Sequence, residues 1–151
     1  MKTIVFAVGV LACSYAAAIP AFAMTDAQCA ASFKSADKNN DGMLTEAEAG
    51  KYFAAMRVAS KPVTNGQISQ ADFMTHCMAN VYAVAKTDAG APLAGANSFT
   101  ENQAKDRIIA SGFTAVSALT KDDKGVWRGT ASQNDKQLPV AVDFKGNVVA
   151  N

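Results

Sequence analysis

Residues 37–48, DKNNDGMLTEAE, constrain the fold more than any other stretch of the chain. Oxygen-bearing side chains stand at the first, third, fifth, ninth and twelfth positions: Asp37, Asn39, Asp41, Thr45 and Glu48. Gly42 holds the sixth, where a sharp turn calls for positive φ, and Leu44, at the eighth, is apolar. Calcium is a hard cation that takes six to eight oxygens at about 2.3–2.6 Å in a permissive geometry. A twelve-residue loop can wrap it with side chains from positions 1, 3 and 5, a carbonyl from position 7, a water on position 9 and a bidentate carboxylate from position 12. The candidate ligands are therefore Asp37, Asn39, Asp41, Met43 through its carbonyl, Thr45 and Glu48.

The flanks have helical spacing. Residues 26–36 carry Ala27, Ala30, Ala31 and Phe33 on a less polar face. Residues 45–60 repeat Ala49, Tyr52, Phe53 and Met56 at three and four. Residues 70–85 gather Phe73, Met74, Cys77, Met78 and Val81 on one side. Loop and flanks together resemble an EF-hand. Twenty-four residues after Asp37, the stretch 61–72 (KPVTNGQISQAD) resembles the second half of another, with Gly66, Ile68, Ser69 and Asp72 at positions 6, 8, 9 and 12. Lys61 and Val63 stand where its first two oxygen ligands belong. The resemblance, familiar from small bacterial EF-hand proteins, implies an all-α EF-hand pair over residues 24–85. One helix serves both loops, and the degenerate second loop gives support without binding calcium.

The N-terminus decides how the cysteines are read. A basic start, an uncharged apolar run and the Ala21-Phe22-Ala23 ending read as a signal peptide over residues 1–23, cut before Met24. The apolar run is shorter than the ~20 residues a spanning helix needs. The expected location is periplasmic or secreted, with no membrane attachment after cleavage. Cleavage removes Cys13 and leaves Cys29 and Cys77, an even pair that an oxidising compartment favours as a disulfide. Cys29 lies on the helix entering the first loop and Cys77 on the helix leaving the second, so loop pairing would bring them together. Cleavage also removes Lys2, leaving 13 basic residues against 13 acidic ones. That neutral balance gives no ground for nucleic acid or an anionic membrane as partner.

Residues 86–97, KTDAGAPLAGAN, read as a linker. Residues 98–151 then open with a helix: Thr100 and Gln103 form a capping box, Ala104, Ile108 and Ile109 a narrow stripe, and Gly112 a stop. Short strands are expected at 113–120, 126–131, 138–144 and 148–150, with turns at 121–125 and 132–137. The leading helix, Gly112-Phe113, a hairpin carrying Trp127 and the closing VDFKGNVV resemble a PepSY-type domain. That resemblance implies an α+β module, one helix on an antiparallel meander, that contacts another exported protein or a peptidase.

No phosphate loop, Ser-His-Asp set or zinc spacing is present, and an enzyme is not expected. His76 adjoins Cys77, but adjacent helix residues point about 100° apart. The methionines Met43, Met56, Met74 and Met78 read as core, and Trp127 as a packing centre. The expectation is an exported calcium-binding protein with one calcium in residues 37–48. The alternative is a regulator or inhibitor of a periplasmic peptidase in which calcium is purely structural.

Overall fold

The computed structural model describes residues 24–83 and 87–151. The expected signal peptide, the end of the expected third helix and the first linker residue lie outside the described residues. Helix α1 (Asp26–Ala36) starts at Thr25, whose hydroxyl accepts the Gln28 N–H at 3.3 Å while the Gln28 carboxamide oxygen accepts the Thr25 N–H at 2.9 Å. Strand β1 (Met43–Thr45), helix α2 (Glu46–Val58), strand β2 (Gln67–Ser69) and helix α3 (Gln70–Met78) follow.

The expectation of an all-α first half is overturned. β1 and β2 pair antiparallel, Met43 opposite Ser69, Leu44 opposite Ile68 and Thr45 opposite Gln67. The described residues therefore form an α+β molecule of four helices and two antiparallel sheets. Burial explains the difference. Leu44 and Ile68, the eighth residues of the two loops, are 0% and 1% exposed. Their backbones enter the core with them, and buried amides and carbonyls need partners. The two loops supply each other's.

Around this pair lie Cys29 and Phe33 of α1, Tyr52, Phe53 and Met56 of α2, and Phe73 and Cys77 of α3. Phe73 meets Phe33 and Tyr52 edge-on, at 5.4 and 4.8 Å between centroids, and stacks on Tyr82 at 4.8 Å. Cys29 and Cys77 form a disulfide between α1 and α3 with Cα atoms 5.9 Å apart. Helix α3 stops well short of residue 85 because Asn80 adopts a left-handed conformation (φ 58°) and the Val81 N–H returns to the His76 carbonyl. Val81 and Tyr82 fold back onto the core, and Met78 is left exposed.

In the second half, α4 (Glu101–Ala110) packs on a sheet of β3 (Thr120–Lys121), β4 (Trp127–Gln133), β5 (Lys136–Val142) and β6 (Val148–Ala150), ordered β3-β4-β5-β6. Its core is Ala104, Ile108, Phe113, Leu119, Ala131, Val140 and Val142. The expected strand at 113–120 contributes only Thr120 to a ladder, plus one isolated bridge from Thr114 to Ser132. Residues 117–119 instead cross close over Gly129, where a Cβ would sit 2.6 Å from the Leu119 side chain and 2.9 Å from the Ala118 carbonyl. The expected turn at 132–137 tightens to Asn134 and Asp135, both at positive φ, so the ladder runs on to Gln133–Lys136. Trp127 lies at the rim of the core, its indole N–H donating to the Phe99 carbonyl at 3.1 Å.

Residues 87–97 are fastened to this sheet. Asp143, 0% exposed, accepts the backbone N–H groups of Leu93, Lys145 and Asn147 and the Asn147 side-chain amide. Gly95 donates to the Lys124 carbonyl, and Gly125 leaves room for the crossing. Helix α2 also lies against α4, with Arg57 paired to Asp106 and Glu46 at 2.8 Å each. Among the described residues no helix is long and apolar enough to cross a membrane.

Two predictions follow from this packing. The disulfide spans 48 residues, for which chain entropy alone gives a stabilisation of about 4 kcal/mol. Replacing both Cys29 and Cys77 by serine should lower unfolding stability by up to that amount in urea titrations, and thiol titration of the denatured, unreduced chain 24–151 should find no free thiol. The second concerns Asp143. Burial opposes its ionisation, but the hydrogen bonds from Asn147, Leu93 and Lys145 prevail and hold its pKa below the ordinary aspartate value. A depressed folded-state pKa stabilises above the unfolded value, about 4, and that stability is lost as pH falls through the folded value. Asp143→Asn should therefore cost roughly 1–3 kcal/mol at pH 7, with a smaller deficit at pH 3. An equal deficit at both pH values would show that the charge is not what matters.

Candidate metal centre

The candidate loop begins where α1 ends. Asp37 closes the helix by donating its N–H to the Phe33 carbonyl at 2.9 Å, which leaves its side chain inside the turn that follows. Asp37 as a whole is only 7% exposed. One oxygen accepts the Asp41 N–H at 3.2 Å and the other the Gly42 N–H at 3.0 Å. Asn39 accepts the Asp41 N–H at 3.0 Å and donates its amide to the Asp41 carboxylate at 2.9 Å. The other Asp41 oxygen accepts the Met43 N–H at 2.8 Å. Asn40 (φ 57°) and Gly42 (φ 81°) make the two left-handed steps that let the chain wind around these oxygens. Asn tolerates that region, and glycine enters it without steric cost.

The loop's far end is set by the small sheet. Met43 and Thr45 lie in β1, and α2 starts directly after it. Glu48 turns back so that one carboxylate oxygen accepts the Thr45 N–H at 2.8 Å. The structure thus brings Asp37, Asn39, Asp41 and the Met43 amide together, and ties Thr45 to Glu48 one helical turn on. Asp37, Asp41 and Glu48 form no ion pair among the described residues. Among the described residues there is also no group of three or more His, Cys, Asp and Glu side chains gathered as a metal cluster. The carboxylates are engaged with the loop's own amides, and the remaining donors, Asn39, Thr45 and the Met43 carbonyl, are of other types. The donor chemistry fits a hard cation all the same. The set is all oxygen, and the Asp37 carboxylate is buried without a countercharge, which is costly unless a cation or several donors meet it.

The second loop has different chemistry. Lys61 is exposed and Val63 packs against the core. Ser69 caps α3, accepting the Asp72 N–H at 3.1 Å and donating its hydroxyl to the Asp72 carboxylate at 2.7 Å. Asp72, at the twelfth position, is therefore occupied with the helix cap. Elsewhere, His76 sits edge-on to Tyr82 at 6.5 Å, and its neighbour Cys77 is in the disulfide. The four methionines have different surroundings: Met56 is buried, Met43 and Met74 are partly buried, and Met78 is 44% exposed.

Local spacing gave no sign of what lies beside Glu48. An open cleft of about 790 Å³ runs between α1, the start of α2 and residues 109–115. Glu48 lines it together with Tyr52, Ile109 and Phe113, so a candidate ligand abuts the second half of the chain. Glu48 and Tyr52 are 57 or more residues from Ile109 and Phe113 in sequence, and only the packing of α2 on α4 gathers them. No protein-family model matches the chain, and neither a characterised protein nor a solved structure matches it at a significant level.

Proposed function

We propose that the protein is an exported calcium-binding protein that holds one calcium in residues 37–48. The observation that carries this reading is the set of Asp37, Asn39 and Asp41 oxygens gathered by the loop's own amides, with Asp37 nearly buried and without a countercharge. Asp37, Asn39 and Asp41 would hold the ion by side chain, Met43 by its carbonyl, Thr45 by way of water and Glu48 by both carboxylate oxygens. Calcium, when bound, supplies the positive charge that the three carboxylates lack. Gly42 permits the turn, and the β1–β2 ladder keeps Met43 and Thr45 in place. The second loop, with Lys61 and Val63 at its first and third positions, braces the first and binds no ion. Residues 98–151 contact another exported protein through an outer strand of the sheet, β3 or β6, by pairing with an extended segment.

Calorimetric titration of chain 24–151 should give one calcium per chain with Kd of roughly 10⁻⁴–10⁻³ M, the range of extracellular calcium modules. At a hundredfold excess over Kd, calcium should stabilise the fold by about 2.7 kcal/mol. Glu48→Gln should remove most of both effects while leaving the far-UV circular dichroism unchanged. Two equivalent sites would overturn the silent second loop, and full affinity in Glu48→Gln would overturn the ligand set.

A further inference from the structure

A guanidinium without an anion lies where the two halves meet. Arg107 stands in the last turn of α4, with its Cζ 4.1 Å from the centre of the Phe99 ring. Gly146 also lies close, where an added Cβ would come within 3.1 Å of the guanidinium. The Arg107 Nε is buried and has no hydrogen-bond partner. All 13 acidic residues of the chain lie among the described residues, and none is paired with Arg107. Glu46 and Asp106 go to Arg57, Glu101 to Lys105, Asp122 to Arg128 and Asp88 to Lys145. Burial lowers the Arg107 pKa from its ordinary value, yet arginine remains charged in proteins. A partly desolvated cation with open donors is costly unless an anion meets it.

Arg107 lines a pocket of about 370 Å³ at the junction of α2, α4 and the β5–β6 turn. Val58, Tyr82, Phe113 and Val148 give it apolar walls, and Lys145 adds a second cation, already bonded to Asp88 at 3.1 Å. A planar guanidinium fork matches a carboxylate's two oxygens, and the walls suit a hydrocarbon body. A bare inorganic anion would leave those walls unused. We propose that this pocket binds a small amphipathic carboxylate, its head on Arg107 and its apolar body against Val58, Tyr82 and Val148. The site shares no residue with the calcium loop and stands whether or not that loop binds calcium.

The test uses octanoate as probe, with octanol and inorganic phosphate as the two half-ligands, titrated into the intact protein by calorimetry and ¹H–¹⁵N NMR. Octanoate should bind at least roughly tenfold tighter than either, with saturable shifts at Arg107, Ser111 and Asn147. Arg107→Gln should weaken octanoate by a similar factor and leave octanol unchanged. Should that variant fail to fold, Val58→Trp, at a partly exposed position on the pocket wall, should abolish octanoate binding with the thermal transition intact. Octanol or phosphate binding as tightly as octanoate, full affinity in the folded Arg107→Gln or Val58→Trp variant, or shifts confined to another face would each overturn the assignment.

Discussion

Leu44 lying opposite Ile68 is the contact on which the first half depends. Both side chains reach the centre of the core, and both sit in three-residue strands that pair with each other. An isolated two-stranded ribbon is marginal in water. This one persists because Phe33, Phe53 and Phe73 close over it and because helices lead directly out of both strands. The pairing fixes where the first loop ends, and hence where Thr45 and Glu48 stand. The disulfide joins the helix that enters the first loop to the helix that leaves the second.

The second half depends on a buried polar centre. Asp143 has no exposed surface, and its two oxygens take four donors from the chain on either side. One of those donors is the Leu93 amide, so the same carboxylate that shapes the β5–β6 turn also holds residues 87–97 against the sheet. A stretch of small residues, Gly and Pro has little apolar surface to bury, and hydrogen bonds supply the order that packing cannot. Lys145 and Asn147 extend the attachment to Asp88.

The sequence was most legible where one residue has one physical job. Gly42, the spacing of Asp37, Asn39 and Asp41, the capping box at Thr100, and the cysteine pair were all readable, because turn chemistry, caps and disulfides act over a few residues or by simple counting. The small sheet was missed because helical periodicity tracks side chains, while β1 and β2 exist to satisfy backbone groups dragged inward by Leu44 and Ile68. The strand expected at 113–120 failed for a long-range reason: the bare backbone of Gly129 draws residues 117–119 across β4. Helix α3 ends early because Asn80 tolerates a left-handed φ, a weaker punctuation mark than glycine. The packing of α2 on α4 left no local trace, since Ala54 and Ala55 are small residues whose burial becomes visible only with both helices in place.

That last contact changes what the loop can be coupled to. Helix α2 departs from helical geometry at Ala49 (φ −131°, ψ 28°), immediately after Glu48. Before this kink, the first turn is held by β1 and by the Thr45–Glu48 hydrogen bond; beyond it, the body of the helix packs on its own core and on α4. Glu48 therefore stands at a joint, with the loop on one side and the cleft containing Ile109 and Phe113 on the other. Under the calcium reading, its carboxylate must engage the ion with both oxygens, while one of them also holds the first turn of α2. A change in that carboxylate's orientation acts at the kink, where the helix is already bent, and at the cleft wall. Glu48 is thus shared by the loop and the cleft wall, while Arg57, paired with Asp106, ties the far end of α2 to α4.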